Sequence, residues 1–155
     1  MNKKSLFNCI TIIVILGLLQ LRCTSNSESG SQKSNELIKI PEIVNYETID
    51  EWDIPNGGKG RVIIIDPKQS TNEELKKLGE RLNYDTRNDR NAFVVVFNNK
   101  KAGGMYHNVS DLNDKDGAFY DQHFVATYNR NINTGYNQIQ IRKDGLNGES
   151  IDIKY

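Results

Sequence analysis

Cysteine is almost absent from this sequence, and the positions of the few cysteines exclude several kinds of site. The 155-residue chain has two, Cys9 and Cys23, and none after position 23. The rest of the chain therefore has no disulfide, no thiolate metal site and no cysteine nucleophile. Its stability has to come from packing and hydrogen bonding.

Histidine is equally scarce. His107 and His123 are the two histidines, 16 residues apart, whereas a metal site of the zinc type needs three or four convergent ligands. The sequence contains no G-x-S-x-G motif, no phosphate-binding loop and no H-E-x-x-H motif. We therefore expect neither a metal nor a cofactor.

One acidic segment resembles part of a calcium-binding loop. Asp114, Asp116 and Gly117 have the spacing of such a loop, but Leu112 and His123 occupy positions where further ligands belong. The segment is therefore predicted to be a polar turn.

The chain also lacks an excess of positive charge. It has 20 basic and 20 acidic side chains, and without residues 1–22, which include Lys3, Lys4 and Arg22, the balance is 17 basic to 20 acidic. Nucleic-acid binding needs a concentrated basic surface. The composition therefore argues against a nucleic-acid partner.

The long hydrophobic run of the sequence is at its beginning. Lys3 and Lys4 precede a mostly apolar stretch of 16 residues, Leu6–Leu21. This is shorter than the ~20 apolar residues that span a membrane. Residues 1–22 are therefore predicted to be a signal peptide, and we exclude them from the fold.

Cys23 directly follows this signal. A cysteine after a short apolar run, with a Ser-rich polar segment behind it, resembles a bacterial lipoprotein signal, which implies lipid modification of Cys23. Gln20 and Arg22 depart from the usual residues of that signal. The alternatives are a secreted protein and an uncleaved signal-anchor. Residues 23–44 are predicted to be a flexible, lipid-anchored tether.

A strand, a helix and a second strand form the centre of the domain. Arg61–Asp66 and Ala92–Phe97 are unbroken β-branched and aromatic runs, which is typical of strands buried on both faces. Between them, Thr71 and Glu74 form a capping box. An apolar stripe follows at helical spacing, formed by Leu75, Leu78 and Leu82. The pattern predicts a parallel βαβ unit.

Turn signals and alternating patterns predict the other elements. A hairpin strand is expected at Tyr46–Trp52, before the turn Ile54–Gly58, and a weak, broken helix from Asn98 to Val109. A helical turn is expected at Ala118–Asp121. Three strands follow: His123–Tyr128, Tyr136–Arg142 and Ile151–Tyr155. The predicted fold of residues 45–155 is a single α+β domain. Its mixed sheet has five or six strands in the order β-β-α-β-(α)-β-β-β, and one long amphipathic helix packs on a face.

Three segments also resemble a known kind of domain. These are IPNGGKGRVIIIDP, DTRNDRNAFVVVF and FYDQHFVATYNRNINTG. Together they are similar to a small uncharacterised bacterial domain carried on exported lipoproteins, and the likeness extends over Tyr46–Tyr155. No activity is attached to that domain, so the resemblance implies export but no function.

Aromatic and polar residues cluster around the fourth predicted strand, and they are the candidate binding face. Tyrosines with histidine and arginine neighbours are common in binding surfaces. The cluster includes Tyr136, and the candidates for the binding face within it are Tyr120, Asp121, His123, Tyr128 and Arg130. On an extended strand, Asp121 and His123 would lie on one face as i, i+2 neighbours.

The function predicted from the sequence is that of a binding module. We expect an envelope protein that is held at the membrane by a lipid and binds a protein or a cell-surface polymer. The alternative is a small hydrolase that uses Asp121, His123 and Tyr120 as its acid–base groups. A deep site with a carboxylate and an imidazole in contact would favour the enzyme, and a shallow aromatic face would favour the binding module.

Overall fold

A computed structural model describes residues 44–143, 145 and 148–155. The signal peptide, Cys23 and all but the last residue of the predicted tether lie outside the described residues. Val44, that last residue, is 4% exposed and belongs to the hydrophobic core. The folded domain therefore includes at least one residue that the sequence assigns to the tether.

Six strands form one mixed sheet in sequential order, β1 to β6. They are β1 (Glu47–Ile54), β2 (Gly58–Ile64), β3 (Asn91–Phe97), β4 (Phe124–Asn131), β5 (Tyr136–Arg142) and β6 (Ser150–Lys154). β2 and β3 are parallel, and every other neighbouring pair is antiparallel. The β1–β2 hairpin turns at Asn56 and Gly57, which both have positive φ and so suit the tight turn that the sequence predicts.

The parallel pair is joined by the long helix α1 (Asn72–Asp85). Its N-terminus is capped by Thr71, whose Oγ1 accepts a hydrogen bond from Glu74 N at 3.3 Å. Leu75, Leu78 and Leu82 are buried, as the stripe predicts. They pack against one face of the sheet in a cluster that includes Ile63, Val94, Val96, Tyr128, Ile139 and Ile141.

A second layer of helix covers part of the opposite face. It consists of α2 (Lys100–Gly103), a 3-10 helix (Tyr106–Asp111) and α3 (Asp114–His123). Between this layer and the sheet lies a second core cluster, which includes Val62, Val95, Phe97, Ala102, Tyr120 and Phe124. The domain is thus a mixed α/β structure with helices on both faces of the sheet. The long helix α1 packs on one face, as the sequence predicts, and the shorter helices cover part of the other face.

The helical turn predicted at Ala118–Asp121 is confirmed as part of α3, but the predictions on either side of it are wrong. The polar turn and the start of the fourth strand are both part of α3, and His123 is the last residue of that helix. Asn113 caps it by accepting a hydrogen bond from Asp116 N at 3.0 Å, and Asp114 and Asp116 lie in its first turn. Acidic residues there favour the helix through its dipole.

Two features are not found in the described part of the chain. No three histidine, cysteine, aspartate or glutamate side chains come together there as a metal site. No helix there is both long enough and apolar enough to cross a membrane.

Candidate functional site

Asp121 and His123 are not the strand neighbours that the sequence predicts. Both lie on α3, where residues i and i+2 point to nearly opposite sides of the helix. His123 Nδ1 donates to Asn98 Oδ1 at 2.7 Å, and the imidazole packs edge-on against Phe119 at 4.6 Å between ring centroids. Asn98 in turn donates to Ser70 Oγ at 3.2 Å. This chain of hydrogen bonds ties α3 to the end of β3 and contains no carboxylate.

Tyr120 is part of the core beneath α3. It is 3% exposed and packs against Phe97 and Phe124, at centroid distances of 5.1 and 6.2 Å. Burial raises the pKa of its phenol to about 12. A phenol so held is a poor proton-transfer group near neutral pH.

Tyr128 and Arg130 lie on the other side of the sheet. Tyr128 is fully buried in the α1 cluster, and its hydroxyl donates to Asn137 Oδ1 at 2.7 Å. Arg130 Nη1 donates to Asn83 Oδ1 on α1 at 3.1 Å. Because Tyr120, Asp121 and His123 belong to α3 on the opposite face, the five predicted residues do not form one binding surface.

The polar segment 85–91 forms ion pairs. Asp85 Oδ2 accepts from Arg81 Nε at 2.7 Å and from the Tyr46 hydroxyl at 2.7 Å. Asp89 Oδ2 accepts from Arg61 Nη1 at 2.8 Å. Burial, with the adjacent Asp85 carboxylate, raises the pKa of Tyr46 to about 12. These carboxylates join the end of α1 and the loop after it to the β1–β2 hairpin and the residue before it.

The strand register creates a surface that the sequence did not predict. Asn91, Asn131 and Tyr136 are opposite one another on β3, β4 and β5, and Phe93 and Asn129 form the next row. Residues opposite one another, or two apart along a strand, share a face of the sheet. Val95 and Phe97 lie on the same face of the sheet, where α2 and α3 pack. The rows of Asn91 and Phe93 lie further along the strands, outside the area that these helices cover.

An open groove of about 700 Å³ lies here, within the ~300–1,000 Å³ of typical ligand sites. We call it the amide groove. Its main lining residues are Asn56, Asn91, Asn129, Asn131, Phe93 and Tyr136. Of the described residues that line it, none is acidic, none is histidine and the one charged side chain is Arg130.

Asn91 is the central polar residue of the amide groove. It is 8% exposed, and its Oδ1 is buried without a hydrogen-bond partner in the protein. Its Nδ2 donates to the carbonyl oxygen of Asn56 at the long distance of 3.5 Å. A buried acceptor without a donor lowers the stability of the fold by about 1–3 kcal/mol. A ligand that donates a hydrogen bond to this oxygen would recover that free energy.

Two aromatic side chains accompany the amides. Tyr136 is 45% exposed, and Phe93 is half-buried against the second core cluster. Together the groove offers neutral donors and acceptors beside apolar ring surfaces. A binding site of that chemistry holds a ligand by hydrogen bonds and stacking, without charge.

The asparagines of the groove are separated by up to 75 positions in the chain, from Asn56 to Asn131. Their position next to the ends of predicted strands is the one signal of this site in the sequence, and it does not show which strand ends lie together. Comparisons of the chain with protein-family models, with curated proteins and with solved structures found no match.

Proposed function

We propose that this chain is an exported cell-envelope protein, anchored by a lipid on Cys23, whose domain is a binding module. The binding site is the amide groove. The signal-like N-terminus supports the anchor, through Lys3, Lys4 and the apolar run before Cys23. In this arrangement the tether holds the domain near the membrane, with the groove available to envelope components.

The observation that carries the binding role is the buried, unpaired Oδ1 of Asn91 at the groove. Proteins pair the great majority of their buried polar atoms, so an exception calls for an explanation. Stability offers none, because this oxygen makes no hydrogen bond within the protein. A ligand that supplies a donor accounts for it.

Binding is favoured over hydrolysis by the same lining. General acid–base catalysis needs a carboxylate, an imidazole or a similar group in contact with the ligand. The described lining of the amide groove contains neither a carboxylate nor an imidazole. The imidazole of His107 and the carboxylate of Asp50 are 2.6 Å apart, but this pair is exposed and lies outside the groove. The residues of the alternative hydrolase are not brought together. The phenol of Tyr120 is buried, and Asp121 and His123 point to opposite sides of α3.

The test is photo-crosslinking in whole cells with the full-length protein. Tyr136 is replaced by p-benzoylphenylalanine, which keeps an aromatic ring at the groove. The matched control carries the same residue at Gln122, an exposed position of α3. We expect adducts with envelope material from position 136 and none from position 122. Equal labelling at both positions, or none at 136, would rule out the groove as the binding site.

A further inference from the structure

We infer that the ligand of the amide groove is a neutral glycan chain. This inference rests on the proposed function and specifies its ligand. Three properties of the groove carry it: its charge, the pairing of its main chain and the geometry of its amides.

The charge of the lining excludes ionic recognition. A polyanionic polymer would be met by several lysines or arginines, and a basic peptide by carboxylates. The described lining has no carboxylate, and its one cation, Arg130, is held on the other face by Asn83 Oδ1 and by the carbonyl oxygen of Arg87. A neutral ligand is therefore the complementary one.

The main chain around the groove is already paired. An extended peptide binds a sheet by adding a strand at an open edge. Here the floor is built by β3, β4 and β5, and each of them is hydrogen-bonded to a neighbour on both sides. Recognition has to come from side chains, which disfavours a peptide ligand.

The amides match the hydroxyl pattern of sugars. A carboxamide accepts at Oδ1 and donates at Nδ2. Asn91 Nδ2 already donates to the carbonyl oxygen of Asn56. Asn131 Oδ1 already accepts from the backbone N–H groups of Asn133 and Thr134. Asn91 therefore offers an acceptor, and Asn131 a donor, to the hydroxyl groups of a sugar. Asn91 and Asn131 are register partners on adjacent strands, which are ~4.8 Å apart, a spacing comparable with the length of one sugar residue in a 1,4-linked chain. Phe93 and Tyr136 then provide apolar surfaces for the CH faces of the rings.

Asn91 gives the inference a distinctive signature. Its Oδ1 has no partner in the protein and is covered from solvent. A sugar hydroxyl that donates to it, once the Asn91 side chain turns toward the groove, satisfies a buried acceptor. Replacing the carboxamide by an apolar group of similar shape removes that acceptor. Asn91→Leu should therefore weaken glycan binding while the urea midpoint of unfolding stays unchanged or rises. A purely structural asparagine would lower the midpoint.

The experiment is calorimetric titration of the full-length protein in detergent. The probes are hexasaccharides of β-1,4-linked glucose, α-1,4-linked glucose and β-1,4-linked N-acetylglucosamine, with heparin as a polyanion and oligolysine as a polycation. We expect saturable binding of at least one neutral hexasaccharide and of neither charged polymer. Asn91→Leu and Asn129→Ala should each lower that affinity tenfold or more, which is about 1.4 kcal/mol. Gln122→Ala, on exposed α3, should not change it.

Two results would overturn the glycan assignment. One is a failure of all three neutral probes to bind, and the other is equal affinity in the wild type and both groove variants. The crosslinking experiment at position 136 distinguishes a wrong ligand from a wrong binding site. If a protease removes the crosslinked material and polysaccharide hydrolases leave it intact, the groove is a binding site but its ligand is a protein. The absence of adducts would contradict the binding role as well.

Discussion

The ring of Tyr155 lies against the α-carbon of Gly79, where any side chain larger than hydrogen would overlap it. The Tyr155 hydroxyl also donates to the carbonyl oxygen of Lys76 at 2.9 Å. The last residue of the chain is thereby fixed across the middle of α1, next to the α1 core cluster.

This contact predicts that the effect of Gly79→Ala changes sign with its neighbour. In the wild type the new methyl group should displace Tyr155 and lower the free energy of unfolding by ~1–2 kcal/mol, within the usual cost of overpacking. In a Tyr155→Ala background, Gly79→Ala should raise the free energy of unfolding by ~0.5–1 kcal/mol, because alanine is a better helix former than glycine. Urea melts of the four proteins form a double-mutant cycle. Equal effects in both backgrounds would contradict the packing.

Val95 should be far more sensitive than an exposed residue of α1. Val95 is 1% exposed on the central strand β3 and Glu80 is exposed. Val95→Ala should cost ~1–4 kcal/mol through lost burial and the cavity it leaves. Glu80→Gln should cost under ~0.5 kcal/mol. Ile63→Ala, on neighbouring β2, provides a second core variant, because Ile63 is 0% exposed. Similar losses for Glu80→Gln and the core variants in urea melts would show that the burial is wrongly assigned.

Stability should fall in alkali as Tyr46 ionises. The pKa of Tyr46 is raised from 10.0 to about 12, first by burial and then by its hydrogen bond to Asp85. A raised pKa stabilises the fold below pH 10.0, and that contribution is lost as the pH rises from 10 to 12. Tyr46→Phe lacks both the bond and the ionisation. Its stability deficit against the wild type, measured by urea melts at pH 8, 10 and 11.5, should therefore shrink as the pH rises. A constant deficit would contradict the raised pKa.

Lipid attachment at Cys23 is tested by metabolic labelling. Radiolabelled palmitate should enter the full-length wild type and not Cys23→Ala, because the thiol of Cys23 is the proposed attachment site. Cys9→Ala is the matched control, since Cys9 lies inside the predicted signal peptide. It should label like the wild type. Labelling of Cys23→Ala would place the lipid elsewhere.

Local patterns predicted the centre of the fold. The apolar runs around Ile63 and Val95, the cap at Thr71 and the leucine stripe of α1 all identified elements that the structure contains. These signals are local, because each depends on residues a few positions apart. The prediction of a polar turn at Asp114–Gly117 was wrong for the same reason. The glycine and aspartates of this segment suggested a turn, while the cap from Asn113 and the packing of Tyr120 against Phe97 make it a helix.

The sequence alone determined that the domain has no thiol chemistry, no concentrated positive charge and a βαβ centre, since composition and periodicity are enough for each. Tertiary structure decided the site. It placed Tyr128 and Tyr120 on opposite faces of the sheet, which separated the predicted binding residues. It also brought Asn91 and Asn131 together through strand register. Register depends on pairing between distant segments, and one residue of slip would turn these amides to the other face.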